Sequence, residues 1–250
     1  MRVMSVNLRY DNPEDGEYIW ANRFPAMKLI WEQIEADLVG IQEGLPHQIS
    51  DLKKAFPVFN YIGKGRDKNG KGEHVGIFFN KNKFTLLNEG HFWLSETPDI
   101  PGSQSYGSAA PRMATWVILK YKGEKLLVLN THLDHESQEA RKRGIEIICD
   151  FIKNNIEVDG IILTGDLNVS PDSDLINNML KCASLKDVFQ TKNKSAPTYH
   201  GFSNNALIIC DYILASNHFK LGSCEIVKTQ HNGVYPSDHY PLYCDIKIES

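Results

Sequence analysis

The chain lacks most of the features that would place it in a specialised class. Its five cysteines are an odd number with no CxxC pair, so they neither frame a disulfide scaffold nor build a zinc site. Cys149, Cys210 and Cys244 fall within apolar runs and are expected to be reduced core residues. No apolar run reaches the roughly 18 residues needed to cross a membrane. Met1 stands too close to the first apolar strand to leave room for a signal peptide, which makes a cytoplasmic enzyme the default unless a leader has been removed. Basic charge is not in excess either: 27 Lys and Arg against 31 Asp and Glu leave a net charge of -4. That balance excludes a surface gripping nucleic acid regardless of sequence, though it leaves room for a local basic cleft. No GxSxG elbow is present, and the cysteines look buried, which argues against a Ser or Cys nucleophile. Repeats, low-complexity tracts and Pro/Ser-rich linkers are all missing, so residues 1–250 read as a single domain. With 42% hydrophobic residues, that domain can bury a sizeable core.

What is present is a series of short apolar strands separated by amphipathic helices. Val3–Leu8 alternates as an opening strand, and Ala26, Leu29, Ile30 and Ile34 recur at helical spacing within Phe24–Ile34. Strands are expected at Leu38–Gln42, Val75–Asn80, Phe84–Trp93 and Gly160–Leu163, with a short helix at Gln48–Phe56. Ala114–Tyr121 and Lys125–Asn130 flank Lys122-Gly123-Glu124, a hairpin signal. Gln138–Asn154 is the clearest helix, with Arg141, Gly144, Ile145, Ile148, Phe151 and Ile152 on one face. Ser170-Pro171 reads as a cap followed by proline at the first helical position, starting a helix to about Cys182. Ala206–Leu214 and Tyr240–Ile248 supply the last strands. Strands without intervening helices break a simple βα alternation, so the expected fold is α/β with two mixed sheets packed as a sandwich and covered by helices.

Polar residues suited to phosphate chemistry recur at strand ends. Asn7 ends the first strand, Glu43 follows the second, and Thr131-His132 follows Leu126–Asn130. Gly165-Asp166-Leu167-Asn168 ends Ile161–Thr164, Asp211 interrupts an apolar run, and Ser237-Asp238-His239 precedes the last strand. Any one of these could simply cap a turn. Packed strands can nevertheless bring all their ends into one cleft. A hard cation such as Mg²⁺, or Mn²⁺ in its place, takes oxygen ligands and keeps several waters, so one or two carboxylates suffice. Glu43 is the first candidate ligand, with Asn7, Asp166, Asn168 and Asp238 next. Hydrolysis also needs an activated water and charge stabilisation on the phosphate. Asp166 fits the first task and Asn168 could orient water or phosphate. His239, supported by Asp238, fits the second if the backbone before the last strand is irregular enough to turn both to one side.

Together these motifs resemble the endonuclease/exonuclease/phosphatase superfamily, whose members include deoxyribonuclease I, abasic-site endonucleases, sphingomyelinases, inositol polyphosphate 5-phosphatases and carbon-catabolite-repressor-type deadenylases. Asn7, Gln42-Glu43, Asn130-Thr131-His132, Gly165-Asp166-Leu167-Asn168, Asp211-Tyr212-Ile213 and Ser237-Asp238-His239 stand in the family's order. The segment Phe92–Pro98 is similar to uncharacterised bacterial members near the deadenylase branch. The resemblance implies a four-layer αββα sandwich, Mg²⁺, and the roles already given to Glu43, Asp166, Asn168 and His239. It further implies that His132 is a phosphate ligand or leaving-group partner, that Asp211 belongs to the site, and that Glu73 orients His132. Arg112 resembles a family arginine that approaches the scissile phosphate, the alternative being a solvated strand start. Arg141 sits on an apolar stripe, where it either contacts phosphate or pairs with Glu139 or Asp134. Cys210 in place of a common Ile, His74 after Glu73, and Arg9 where several nuclease branches carry an acid bear on substrate choice.

The expected activity is therefore metal-dependent hydrolysis of a phosphodiester or phosphomonoester. Nucleic acid or nucleotide, phosphoinositide and lipid-headgroup substrates remain open, with Trp93, Trp116 and Tyr199 available to stack on a base if they are not core. The competing reading is a non-catalytic phosphate-binding module on the same fold, which predicts lost catalytic positions; none is visibly lost.

Overall fold

A computed structural model describes residues 1–155, 157–192, 194–203 and 205–249. In chain order the elements are β1 (Arg2–Asn7), α1 (Trp20–Ile34), β2 (Leu38–Gly44), α2 (Pro46–Ala55), β3 (Phe59–Gly65), β4 (His74–Asn80), β5 (Thr85–Trp93), β6 (Met113–Tyr121), β7 (Glu124–His132), α3 (Gln138–Asn155), β8 (Gly160–Asp166), α4 (Asp174–Cys182), β9 (Leu185–Asp187), α5 (Val188–Thr191), β10 (Asp211–Ser216), β11 (Phe219–Ile226) and β12 (Leu242–Ile248).

β1, β2, β7 and β8 are apolar on both faces, as strands covered on both sides must be. They form two parallel pairs, β1 with β2 and β7 with β8, each joined by a helix that crosses over, α1 and α3. Around each pair the remaining strands add antiparallel. The first six-stranded sheet runs β11-β12-β1-β2-β4-β3 and the second β5-β6-β7-β8-β10-β9. The sheets pack through Val3, Leu38, Ile77 and Phe79 on one side and Val117, Val128, Ile162 and Ile213 on the other. Met27, Ile30, Trp31 and Ile34 of α1 cover the outer face of the first sheet. Ile145, Ile148 and Ile152 of α3, with Ile176 and Met179 of α4, cover the second. At about 1.5–3 kcal/mol for each fully buried aliphatic side chain, these layers supply the driving force for the four-layer sandwich expected from the sequence.

Toward the C-terminal ends of the parallel strands the contact between sheets becomes polar. Asn130 of β7 donates to Ile41 O (2.7 Å) and Gly76 O (2.9 Å) of the first sheet, and accepts from Gln42 Nε2 (2.7 Å) and Thr164 Oγ1 (3.0 Å). Gly40 lets the two sheets approach at this point, because a Cβ there would run into the Thr164 hydroxyl and lie 2.8 Å from Asn130 Oδ1.

Several elements depart from expectation. β3, β9 and β11 were not legible, being short or edge strands with partly solvated, irregular patterns. The helix expected from Ser170 starts at Asp174, capped by Ser173, whose hydroxyl accepts from Leu175 N at 3.2 Å; Ser170 and Pro171 lie in the preceding turn. Of Ala206–Leu214 only the part from Asp211 is strand, and Leu207 and Ile208 are exposed. The cysteines also require correction. Cys149 of α3 is bonded to Cys182 of α4 and Cys224 of β11 to Cys244 of β12, while Cys210 alone is free and buried. Partners 33 and 20 residues apart are brought together only by the packing of those elements, so spacing could not reveal them. Disulfides persist in oxidising compartments, so the two bonds do not favour the cytoplasmic expectation. Among the described residues no helix is long and apolar enough to cross a membrane.

Candidate active site

A cavity of about 630 Å³ opens where β1, β2, β7 and β8 end. Glu43, His132, Asp166, Asn168, Asp238, His239, Arg112 and Glu73 all line it. Two of these side chains are aimed by unusual backbone. A bulge between Ile41 and Gly44 interrupts the pairing of β2 with β4, and Glu43 within it takes φ 60°; Asn168, just past β8, takes φ 49°. Such left-handed residues cost free energy and persist where the surroundings hold them, commonly at functional sites.

Asn7 Nδ2 donates to Glu43 Oε1 (2.9 Å) and Asp166 Oδ2 (3.1 Å), while its oxygen accepts from Arg9 N (2.8 Å). In this arrangement the Asn7 amide N–H groups bridge the two carboxylates. Asn168 likewise directs Nδ2 to Leu133 O (3.1 Å) and His132 Nε2 (3.3 Å), and its N–H donates to Asp166 Oδ1 (3.1 Å). Two groups of donors gather within 4.8 Å: Glu43, Glu73 and His132, and Asp166, Cys210, Asp211 and His239. Glu73 is tied to Arg66 at 2.7 Å, leaving Glu43 the more available carboxylate of the first group. It is Arg66, not His132, that Glu73 holds by hydrogen bond. Burial and the Glu43 charge push the Glu73 carboxyl up to about 7 against the pull of Arg66.

The second group is a buried cluster of closely spaced ionisable side chains. Asp211 opens β10 directly opposite Asp166 in β8, and His239 Nδ1 donates to Asp211 Oδ2 at 2.8 Å. His239 therefore takes its support from Asp211, whereas Asp238 is 4.0 Å from Nε2. The backbone between Ser237 and Pro241 is outside regular strand, which lets Asp238 and His239 share one cavity. Burial alone would depress the His239 imidazolium, but Asp211 first and Cys210 beside it together outweigh burial and hold the ring well above the ordinary histidine value. The same burial, reinforced by repulsion from Asp211, pushes the Asp166 carboxyl up to about 7 and the Cys210 thiol well up. His132 is the contrast. Burial and the nearby Arg112 hold it well below the usual value, so it is a neutral imidazole.

Arg112 lies just before β6, with Nε 3.3 Å from Asp134 and Nη2 2.8 Å from His135 Nδ1. Its Nη1 is buried and has no hydrogen-bond partner within the protein, an orphaned cationic donor at the cavity wall of the kind an anion would satisfy. Arg141 is not brought into the cavity; its guanidinium donates to Asp134 O at 2.9 Å and buttresses the loop that holds Arg112. Of the aromatics, Tyr199 lines the cavity, Trp93 is core and donates to Arg66 O at 2.7 Å, and Trp116 faces the opposite side of the second sheet.

Sequence reasoning missed Arg23. Fully buried on α1, its guanidinium donates to Leu8 O (2.7 Å), Pro236 O (2.9 Å), Arg9 O (2.8 Å) and Tyr18 O (2.6 Å). It thereby fastens the chain after Asn7 to the chain before Ser237-Asp238-His239. Burial pushes this guanidinium down to about 10. An arginine among apolar helix residues was the available signal.

Residues 4–239 match the profile of the Endonuclease/Exonuclease/phosphatase family. Among solved structures, an endonuclease/exonuclease/phosphatase from Bacteroides vulgatus is 32% identical with a TM-score of 0.92, covering 99% of this chain and 98% of that one. A mannosyl-6-phosphatase from Bacteroides thetaiotaomicron is 30% identical with a TM-score of 0.91, covering 99% and 100%. A stretch of 119 residues is 30% identical to uncharacterized protein R895 of Acanthamoeba polyphaga mimivirus, but covers 40% of this chain and only 17% of that protein.

Proposed function

The chain belongs to the Endonuclease/Exonuclease/phosphatase family, and from that premise we propose that it is a Mg²⁺-dependent phosphomonoesterase acting on the phosphate of a sugar or similar polyol. The observation that carries the hydrolase reading is the convergence, in one cavity, of Glu43, Asp166, Asn168, Arg112 and a charged His239 backed by Asp211. The substrate class is supported by the mannosyl-6-phosphatase, to which the chain is similar over almost its whole length. It is also supported by the pairing of the cavity's other arginines, Arg9 with Asp15 at 2.8 Å and Arg66 with Glu73 at 2.7 Å. Cations already neutralised in this way suit a single phosphate better than a polyanionic strand.

The donor set fits a hard divalent cation, with Glu43 the principal protein ligand and room for waters. Bound there, the ion would supply Lewis-acid stabilisation of phosphate charge. The chain's own groups do the rest. Asp166 Oδ2, 3.1 Å from Asn7 Nδ2 and 3.8 Å from His239 Nε2, takes the proton of the attacking water as its oxygen bonds to phosphorus. His239 Nε2 and Arg112 Nη1 donate to the non-bridging oxygens as charge accumulates there. The bond from phosphorus to the alcohol oxygen breaks in line with that attack, and the departing alkoxide takes its proton from solvent.

Phosphate release from mannose 6-phosphate, and p-nitrophenol release from p-nitrophenyl phosphate and bis-p-nitrophenyl phosphate, each with Mg²⁺, Mn²⁺ or EDTA, test the reading. Hydrolysis of the monoesters that EDTA abolishes and Mg²⁺ restores is expected. Preferential cleavage of the diester would replace the substrate class. Activity indifferent to EDTA would overturn the metal mechanism, and phosphate binding without turnover would favour a non-catalytic module.

A further inference from the structure

A second cavity, about 660 Å³, lies on the outer face of the second sheet, between β5, β6 and α3, and takes no part in the chemistry above. Its floor is Trp116, whose indole lies against the backbone of Gly90; a Cβ at Gly90 would sit 2.6–2.8 Å from the indole ring. Phe151 of α3 stands beside it, with ring centroids 5.4 Å from Trp116 and 4.6 Å from Phe92. The rim is polar: Asn88 on β5, Asp150 and Asn154 on α3, and Asp99 on the loop beyond β5. No Lys or Arg is among the described residues that line it. His91 adds no charge at neutral pH, since burial pushes it down to about 4, and its Nδ1 is engaged with Thr115 Oγ1 at 3.0 Å.

We propose that this cavity is a binding site for a neutral saccharide, stacked on Trp116 with its hydroxyls on Asp99, Asp150, Asn88 and Asn154. A site of this make-up repels phosphate, so it is not a second copy of the first. An aromatic floor needs a ligand with an apolar face, which a pyranose ring offers through its C–H bonds. A rim of carboxylates and amides needs a ligand rich in hydroxyls, because carboxylates accept, amides both donate and accept, and a hydroxyl can answer either. A simple cation would use the two aspartates, but both are exposed on the rim, where solvent screens their pull. The inference does not depend on the phosphoesterase reading.

Saturation-transfer NMR on the full chain, with the methyl glycosides of mannose, glucose, galactose and N-acetylglucosamine plus mannotriose, tests this without requiring turnover. The expected result is transfer to ring C–H protons of at least one probe, undiminished by excess inorganic phosphate or by Glu43→Gln. Trp116→Ala should weaken that binding by about tenfold or more. Should Trp116→Ala not fold, Gly90→Ala, which displaces the indole, and Asp150→Ala on the exposed helix face provide the same loss. Absence of binding by every probe, binding unaltered in these variants, or displacement by phosphate would each overturn the proposal. So would Trp116-dependent binding of tetramethylammonium in place of the glycosides.

Discussion

The two halves of the active site follow one plan and treat charge in opposite ways. In each sheet a parallel pair ends at the cavity and an antiparallel strand begins beside it: β1, β2 and β12 in the first, β7, β8 and β10 in the second. The second sheet places Asp166 and Asp211 directly opposite one another and buries both. Like charges so placed are destabilising on their own. The compensation comes from across the sandwich, where the segment leading into β12 brings His239 to 2.8 Å from Asp211 and 3.8 Å from Asp166. Asn7 of the first sheet adds its amide to Asp166 at 3.1 Å. The site is thus complete only when both sheets are docked, and substitutions in the second half should cost more than those in the first.

The sharpest test of that asymmetry is Asp166→Asn, which removes the carboxylate from the centre of the charged cluster. Turnover should fall by about a thousandfold, with circular dichroism and thermal unfolding close to those of the parent chain. Retained turnover in a folded variant would remove Asp166 from the mechanism. Asp211→Asn comes next, with a loss of about a hundredfold and a change in pH dependence. The sign follows from the causes: Asp211 raises the His239 value and burial lowers it, so without the carboxylate the imidazolium is lost at lower pH. The alkaline limb of the activity profile should move to lower pH, and an unmoved limb would mean that His239 is supported from elsewhere.

In the first half, Glu43→Gln should leave more activity behind. Its expected effect is a Mg²⁺ requirement raised by about 10–100-fold, with turnover at saturating metal falling far less than for Asp166→Asn. A metal titration superimposing on that of the parent would exclude Glu43 as a ligand.

Much of this was legible in the chain, for reasons that particular residues show. Glu43, His132, Asp166, Asn168, Asp211 and His239 each end or begin a strongly apolar strand, and packed strands in this architecture converge at one end. The pairing of His239 was misassigned because sequence adjacency favoured Asp238, whereas the partner, Asp211, is 28 residues away and becomes a neighbour only through the contact between sheets. Arg23 gave only the faint signal of an arginine among apolar helix residues and Arg66 none, since what each does is set by carbonyls or carboxylates elsewhere in the chain. Edge strands such as β3 escaped notice because half-solvated residues carry weak periodicity. The disulfides depend on packing in the same way.

The smallest effect on chemistry should come from the place where the halves meet. Gly40 lies beneath the site and touches none of its catalytic groups, yet any side chain there intrudes on Thr164 and on Asn130, which bonds to both sheets. Gly40→Ala should therefore act as a wedge. Overpacking of this kind costs about 1–3 kcal/mol, read as a lower denaturant midpoint with an unchanged slope. If docking of the sheets is what brings His239 to Asp211, the loss of turnover in Gly40→Ala should carry with it the same downward movement of the alkaline limb as Asp211→Asn, in milder form. A variant that loses stability but keeps the parent pH profile would show instead that the His239–Asp211 contact is held by its own loops, with Arg23, which fastens the chain before Ser237, the group to test next.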